Sequence, residues 1–224
     1  MRINKYLADS GYCSRRQADV LVEQKKVYIN GKRAVLGDVV KIGDSVKVDH
    51  KLIIPKAVKS YLIYYKPEGV ICTTDLKSPN NIIDAISYPE RIFPVGRLDV
   101  NSSGLIFLTN DGDWANRLMH PKYEHAKEYL VEVDLPVSQK LLDGLKKGVN
   151  LTEGIARADN LKTIDNNHFK ITIHQGWNRQ IRRMVEHFGY EVVSLTRIRI
   201  GNVGLDTLKV GKWRVLTKKE VESF

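Results

Sequence analysis

The sequence predicts an α+β protein: a small α/β module, then a larger domain in which a mixed, largely antiparallel sheet is flanked by helices. Three observations predict it. Many short β-prone runs are separated by turn residues, without the regular strand–helix–strand alternation of a parallel sheet. The chain has 224 residues, 42% hydrophobic and 28% charged, which is enough for one or two domains with a proper core. Charge is unevenly placed. Residues 1–59 hold 13 Lys and Arg against 6 Asp and Glu, residues 170–219 hold 11 against 3, and residues 60–169 hold 12 against 15. Two basic zones therefore flank a slightly acidic body. The expected division is a domain over 1–55, a linker over 56–60 and a second domain over 61–224.

Ile3, Leu7 and Ala8 suggest a first helix ending at Gly11. Ser14-Arg15-Arg16-Gln17 has capping-box spacing, and a helix to about Gln24 follows, with Ala18, Leu21 and Val22 on one face. Arg15 and Arg16 in its first turn oppose the helix dipole, which prefers acids there, so an external anion is expected. Val27-Tyr28-Ile29 reads as a strand, Asn30-Gly31 as a type I′ turn carrying Lys32 and Arg33, and Gly43-Asp44 as a turn between strands at 39–42 and 46–48. Lys5, Lys25 and Lys26 remain for solvent or phosphate.

Beyond the linker, 61–65 and 70–74 are expected as strands joined by a turn at Lys66-Pro67-Glu68-Gly69. A short helix is expected at 82–86, a helix capped by Asp113 at 113–119, an alternating strand at 127–133 and an amphipathic helix at 137–148. Strands follow at 161–164 and 169–173, a helix from about Arg179 to Gly189, and strands at 190–195 and 197–202. Arg179, Arg182 and Arg183 again crowd a helix start, which points to an anion nearby.

No run approaches the length of a membrane span, and the N-terminus lacks a signal pattern. Cys13 and Cys72 are isolated, fit no metal spacing and read as free thiols of a reducing cytosol. The formal charge of +10 favours a polyanionic partner over a merely solvated basic surface.

The rest is organised around residues 96–112. Leu105 to Thr109 is an apolar run that reads as a buried strand, closed by Asn110-Asp111-Gly112. Before it, a loop bounded by Gly96 and Gly104 carries Arg97 and Asp99. From spacing alone, Asp99 is as readily a loop-stabilising residue as a reactive carboxylate, and Tyr129 reads first as a half-buried strand aromatic.

Gly96-Arg97-Leu98-Asp99, then Ser103-Gly104-Leu105, an apolar strand and Thr109-Asn110-Asp111-Gly112, resembles the catalytic motif of pseudouridine synthases of the RsuA type. Lys127-Glu128-Tyr129 is similar to that family's second motif, and Gln180-Ile181-Arg182 to its third. Residues 1–48 resemble an S4 RNA-binding domain. Gln175-Gly176-Trp177-Asn178-Arg179 through Met184, with Phe188-Gly189-Tyr190-Glu191-Val192, is most similar to the F-type large-subunit rRNA enzymes. One departure is Tyr65, where the family's usual turn has Asn before Lys-Pro.

The resemblance implies a catalytic Asp99, Tyr129 beside the target uracil, and apolar Ile181 followed by Arg182 paired with Asp99. A guanidinium beside a carboxylate favours the anion that such chemistry needs. Arg97 would grip phosphate or fill the space of a flipped base, and Arg179 and Arg183 would also meet substrate. Arg15, Arg16, Lys25, Lys26, Lys32 and Arg33 would bind RNA. The implied activity is isomerisation of a uridine in ribosomal RNA, most of all that of the large subunit, with tRNA a further candidate. It needs no cofactor and no metal, and the protein would be a cytoplasmic monomer. Two rivals remain. One is a non-catalytic S4-type RNA-binding or ribosome-assembly protein. The other is a nucleotide glycosidase, whose second acid is not evident near Asp99.

Overall fold

The computed structural model describes residues 1–55 and 58–224. Two compact units emerge: Met1–Ser60 with Pro89–Arg91 and Asn110–Gly112, and Tyr61–Tyr88 with Ile92–Thr109 and Asp113–Phe224. Residues 56 and 57, where the linker was expected to begin, lie outside the described residues.

In the first unit, helices α1 (Ile3–Asp9) and α2 (Arg15–Glu23) precede strands β1 (Val27–Ile29), β2 (Lys32–Arg33), β3 (Val46–Val48) and β4 (Lys51–Ile53). The capping box forms: the Gln17 amide donates to Ser14 Oγ at 3.1 Å, and the Ser14 amide to Gln17 Oε1 at 2.9 Å. Asn30 and Gly31 both take positive φ, 51° and 80°, as a type I′ turn between β1 and β2 requires. The sheet order is β2-β1-β3-β4, over a core that includes Ile3, Leu7, Ala18, Val22, Val27 and Val46. The strand expected at 39–42 is absent; Val39 makes one isolated bridge to Arg2. β3 pairs instead with β1 and with β4, across a turn in which Asp49 and His50 take φ of 45° and 67°. Asp and His tolerate that conformation without being the strong turn signal that Asn-Gly is.

The second unit contains, in chain order, β5 (Tyr61–Lys66), α3 (Ile82–Ile86), β6 (Phe93–Val95), β7 (Ser103–Thr109), α4 (Gly112–Met119) and β8 (Lys127–Val133). Then come α5 (Gln139–Lys147), β9 (Val149–Leu151), β10 (Gly154–Ala156), β11 (Asn160–Thr163), β12 (His168–Ile173) and α6 (Gln180–Glu186). β13 (Val192–Ile200), β14 (Val203–Gly204), β15 (Trp213–Val215) and α7 (Lys218–Glu222) complete it. The main sheet runs β11-β12-β8-β13-β7-β5-β15, with β14 on β13 and β6 on β7. Its pairings are antiparallel except β7–β13. This is the mixed, largely antiparallel sheet that the turn-punctuated sequence predicts.

Burial follows sequence pattern. β7 is buried on both faces: Ile106 and Leu108 join Leu62, Tyr64, Val131 and Met184 on one side, Leu105 and Phe107 join Ile63, Trp114 and Ile200 on the other. That is why it reads as an unbroken apolar run. β8 alternates, burying Tyr129, Val131 and Val133 on one face only.

Three expectations need correction. Residues 70–74 form no strand against β5, whose partners are β7 and β15. The buried Lys66 ammonium gathers the carbonyls of Pro67 and Val70, each at 2.9 Å, and so bends the chain away from β5. The strands expected at 190–195 and 197–202 are one strand, β13, with register shifts between Val192 and Ser194 and between Arg197 and Arg199. α4 begins at Gly112, so Asp113 lies in its first turn rather than capping it. The β9–β10 hairpin and α7 went unforeseen.

Candidate active site

The loop before β7 is pinned along its length. Gly96 and Gly104 bracket it with φ of 75° and 114°. A Cβ on Gly104 would stand 2.3 Å from the Arg197 carbonyl oxygen, so only glycine lets β7 and β13 approach this closely. The Gly96 amide donates to Met119 Sδ at 3.1 Å, the Leu98 amide to Cys72 Sγ at 3.4 Å, and the Ser102 amide to the Asp99 carbonyl at 3.1 Å. Arg182 Nη2 donates to the Asn101 carbonyl at 2.6 Å. What this scaffold leaves uncommitted is the Asp99 side chain. It is half-buried, and among the described residues it accepts no hydrogen bond and forms no ion pair.

A cleft of about 930 Å³ opens onto it, lined by Arg97, Asp99, Tyr129, Arg179 and Ile181 among others. Tyr129 is 8% exposed and Ile181 3%; Arg97 and Arg179 are exposed. Arg179 takes φ of 47° at the N-cap of α6, where its side chain caps nothing and sits 3.9 Å from Glu186. The structure thus brings five of the seven expected catalytic and substrate-contacting residues to one cavity.

The other two stand apart from it. Arg182, 7% exposed, does not pair directly with Asp99. Its guanidinium is spent on the carbonyls of Asn101 and, at 2.8 Å, Val192. Burial and the charge of Arg179 push its pKa down, and the charge of Asp99 pulls it back up. Arg182 therefore acts on Asp99 through the loop it clamps and through its field. Arg183 does not reach the cleft: it makes a bidentate pair with Glu153 at 2.8 and 2.9 Å, which holds the Glu153 carboxyl at about 2.

Sequence reasoning passed over two further cations. Lys66 is fully buried, holds Pro67 and Val70 and lies 3.5 Å from the Val100 carbonyl. Burial pushes its pKa down, while Cys72, Glu68 and Asp99 pull it up. Lys127 lines the cleft and donates to the carbonyls of His125 at 3.1 Å and His174 at 2.9 Å. Burial, then the charge of Arg197, lowers its pKa to about 8 against the pull of Asp159. Each shares the inward phase of its strand, Lys66 with Leu62 and Tyr64, Lys127 with Tyr129 and Val131. That phase was the available signal. Among the described residues no cluster of three His, Cys, Asp or Glu could hold a metal ion, and no helix is long and apolar enough to cross a membrane. In the first unit, Arg15, Arg16, Lys25, Lys26, Lys32 and Arg33 are all exposed, and none has a hydrogen bond or ion pair from its side chain among the described residues.

A mixed sheet whose cleft holds an unpaired, half-buried carboxylate together with a buried tyrosine, in a chain that also carries a small basic module, marks an enzyme that modifies RNA. The family described as RNA pseudouridylate synthase matches residues 60–187, and the S4 domain matches residues 1–46. The dual-specificity RNA pseudouridine synthase RluF of Escherichia coli K12 is 46% identical over 223 residues, 99% of this chain and 77% of that one. The ribosomal large subunit pseudouridine synthase B of Bacillus subtilis 168 is 40% identical over 99% of this chain and 94% of its own. A crystal structure of a pseudouridylate synthase superposes with a TM-score of 0.72 at 31% identity, covering 100% of this chain and 99% of that one. The chain belongs to the RNA pseudouridylate synthase family.

Proposed function

We propose that this protein isomerises a uridine to pseudouridine in ribosomal RNA, large-subunit rRNA first, with Asp99 as the catalytic carboxylate. The observation that carries the reading is a loop pinned by the Leu98 amide on Cys72 and by Arg182 on the Asn101 carbonyl, while the Asp99 carboxylate makes no bond among the described residues and lines the cleft. The reaction breaks the bond from C1′ to N1 and makes one from C1′ to C5, so nothing is oxidised. The target base must leave its stack, at a cost of a few kcal/mol, and the cleft is large enough to receive it. Tyr129 offers it a flat face and Ile181 an apolar wall. Arg97 and Arg179, exposed at the rim, suit phosphate.

In this reading residues 1–55 grip folded RNA, residues 61–224 do the chemistry, and the protein works as a monomer in the cytoplasm. A non-catalytic RNA-binding role has no use for the free carboxylate. The test is incubation with unmodified rRNA followed by pseudouridine mapping, with tRNA alongside because the Escherichia coli relative is named dual-specificity. Wild-type protein should convert a discrete site, and Asp99→Asn, nearly isosteric, should convert none while binding RNA almost as well. No conversion by wild type, or conversion by Asp99→Asn free of deamidation, would overturn the proposal.

A further inference from the structure

Arg197 is a charged residue that the reading above leaves unused. It is 4% exposed, yet it lines the cleft. Its Nε donates to the Leu105 carbonyl at 2.7 Å, while Nη2 is sealed in protein with no acceptor. A buried guanidinium N–H without a partner costs stability; Nε of Arg182 and Nε of Arg183 are in the same state, and what sets Arg197 apart from them is its place in the lining of the cleft. Its neighbours sharpen the question. In the sheet, Lys66 on β5 lies opposite Gly104 on β7, Gly104 opposite Arg197 on β13, and Arg197 opposite Tyr129 on β8. These residues form one row on one face, with Gly104 as the gap between the two cations. The charge of Arg197 weighs on both Lys66 and Lys127. Asp159, whose charge draws on Lys127, is itself occupied with His174, at 2.8 Å. The lining of the cleft carries Arg97, Lys127, Arg179 and Arg197 against Asp99 and Glu124, an excess of positive charge.

We infer that Arg197 is a base-contacting residue: its guanidinium donates to a carbonyl oxygen of the uracil turned into the cleft and steadies the negative charge that the ring gains during the reaction. The inference rests on the pseudouridine-forming reading. Depth decides between base and phosphate. Directly opposed residues on antiparallel strands have Cβ atoms about 5 Å apart, so a ring lying on Tyr129 is within reach of Arg197. A phosphate outside the cleft is not within reach of a side chain this deep, whereas the exposed Arg97 and Arg179 can meet one. Chemistry agrees. When the N1–C1′ bond breaks, its electron pair stays on the ring and spreads over N1, O2 and O4. The pair that then joins C5 to C1′ comes from the ring, the C5 proton leaves, and N1 takes one up. A preorganised donor at O2 or O4 is worth most while the ring is anionic.

The test pairs Arg197→Gln and Arg197→Lys with target RNA carrying uridine, 2-thiouridine or 4-thiouridine, read as single-turnover rates beside RNA affinity and its salt dependence. Arg197→Gln should lose roughly 100-fold in rate, as for removal of one oxyanion donor, with affinity and salt slope unchanged. Sulfur at the contacted position should slow wild type by about tenfold or more and Arg197→Gln hardly at all. Arg197→Lys should keep more of the rate and show a reduced sulfur effect, and it decides the question if Arg197→Gln melts below the assay temperature. Equal sulfur effects in wild type and variants would overturn the inference. So would an unchanged rate with weaker, less salt-dependent binding, which would make Arg197 a phosphate contact. Wild-type conversion of the unsubstituted RNA comes first: its failure would sink the parent reading, while its success with additive sulfur effects would sink only the role of Arg197.

Discussion

Replacing Arg15, Arg16, Lys25, Lys26, Lys32 and Arg33 together by glutamine should flatten the salt dependence of RNA binding and leave chemistry alone. All six are exposed and none has a side-chain partner among the described residues, so the change strips charge without breaking an internal bond. Each neutralised phosphate steepens the plot of log affinity against log salt by about 0.7 to 0.9, so six contacts supply at most roughly 4 to 5 units of slope. Between 50 and 200 mM salt that slope corresponds to roughly a 300- to 2,000-fold change in affinity, the share the variant should no longer show. Melting temperature should not fall, since losing Arg15 and Arg16 relieves charge that opposes the dipole of α2. Fluorescence anisotropy at four salt concentrations on an rRNA fragment measures the slope. Single-turnover conversion at saturating protein measures the chemistry. An unchanged slope would remove these residues from the RNA interface. A lost rate at saturation with unchanged binding would place the first unit inside the active site and refute the division of labour.

Arg182→Ala should lower unfolding free energy by about 1 to 3 kcal/mol, because it leaves the carbonyls of Asn101 and Val192 without their donor. Its single-turnover rate should fall at least about tenfold with RNA affinity little changed, since the side chain lies beneath the cleft rather than in it. Gly104→Ala should cost about 3 kcal/mol or more in urea denaturation, from a side chain at φ of 114° and a Cβ 2.3 Å from the Arg197 carbonyl oxygen. Lys127 is protonated in both the folded and unfolded states below about pH 8, so the cost of its buried charge is fully present there. That cost is relieved as pH rises from about 8 toward 10.5, because the unfolded chain then binds more protons. The urea midpoint of wild type should therefore rise relative to that of Lys127→Met over this window, and parallel midpoints would refute it.

The elements visible from sequence were those whose side chains report only local physics. The Ser14 and Gln17 capping box, the Asn30-Gly31 turn, the two-sided run of β7 and the alternation of β8 each depend on neighbours a few residues away. The misses depend on residues far off in the chain. Val70 to Thr74 looks like a return strand, but Lys66 draws its carbonyls aside. β13 looks like two strands because its register shifts put side chains out of strict alternation, and those shifts answer to β8. Of the site, the sequence motifs pointed to residues that come together in space: Asp99, Tyr129 and Ile181 line one cleft. Where the Arg183 guanidinium goes was not legible, because its partner Glu153 is carried by the turn of the β9–β10 hairpin, which leaves little trace in sequence.

A common pattern connects the cations that were overlooked. Lys66, Lys127 and Arg197 each occupy a strand position whose phase points inward, where an aliphatic residue would lower the free energy of the fold more. Two of the three recover part of the cost by binding backbone carbonyls of the surrounding loops, Lys66 those of Pro67 and Val70 and Lys127 those of His125 and His174. Lys127 thereby holds the wall of the cleft at His125 and His174, and Lys66 the turn that follows β5. Arg197 makes a single bond, to the Leu105 carbonyl, and lines the cleft opposite Tyr129, a place that bracing alone does not require. An inward charge that braces a loop is explained by the fold. An inward charge left partly unmet on the floor of a cleft points to what the cleft receives, and there the expected visitor is a base that turns anionic as its bond to the ribose breaks.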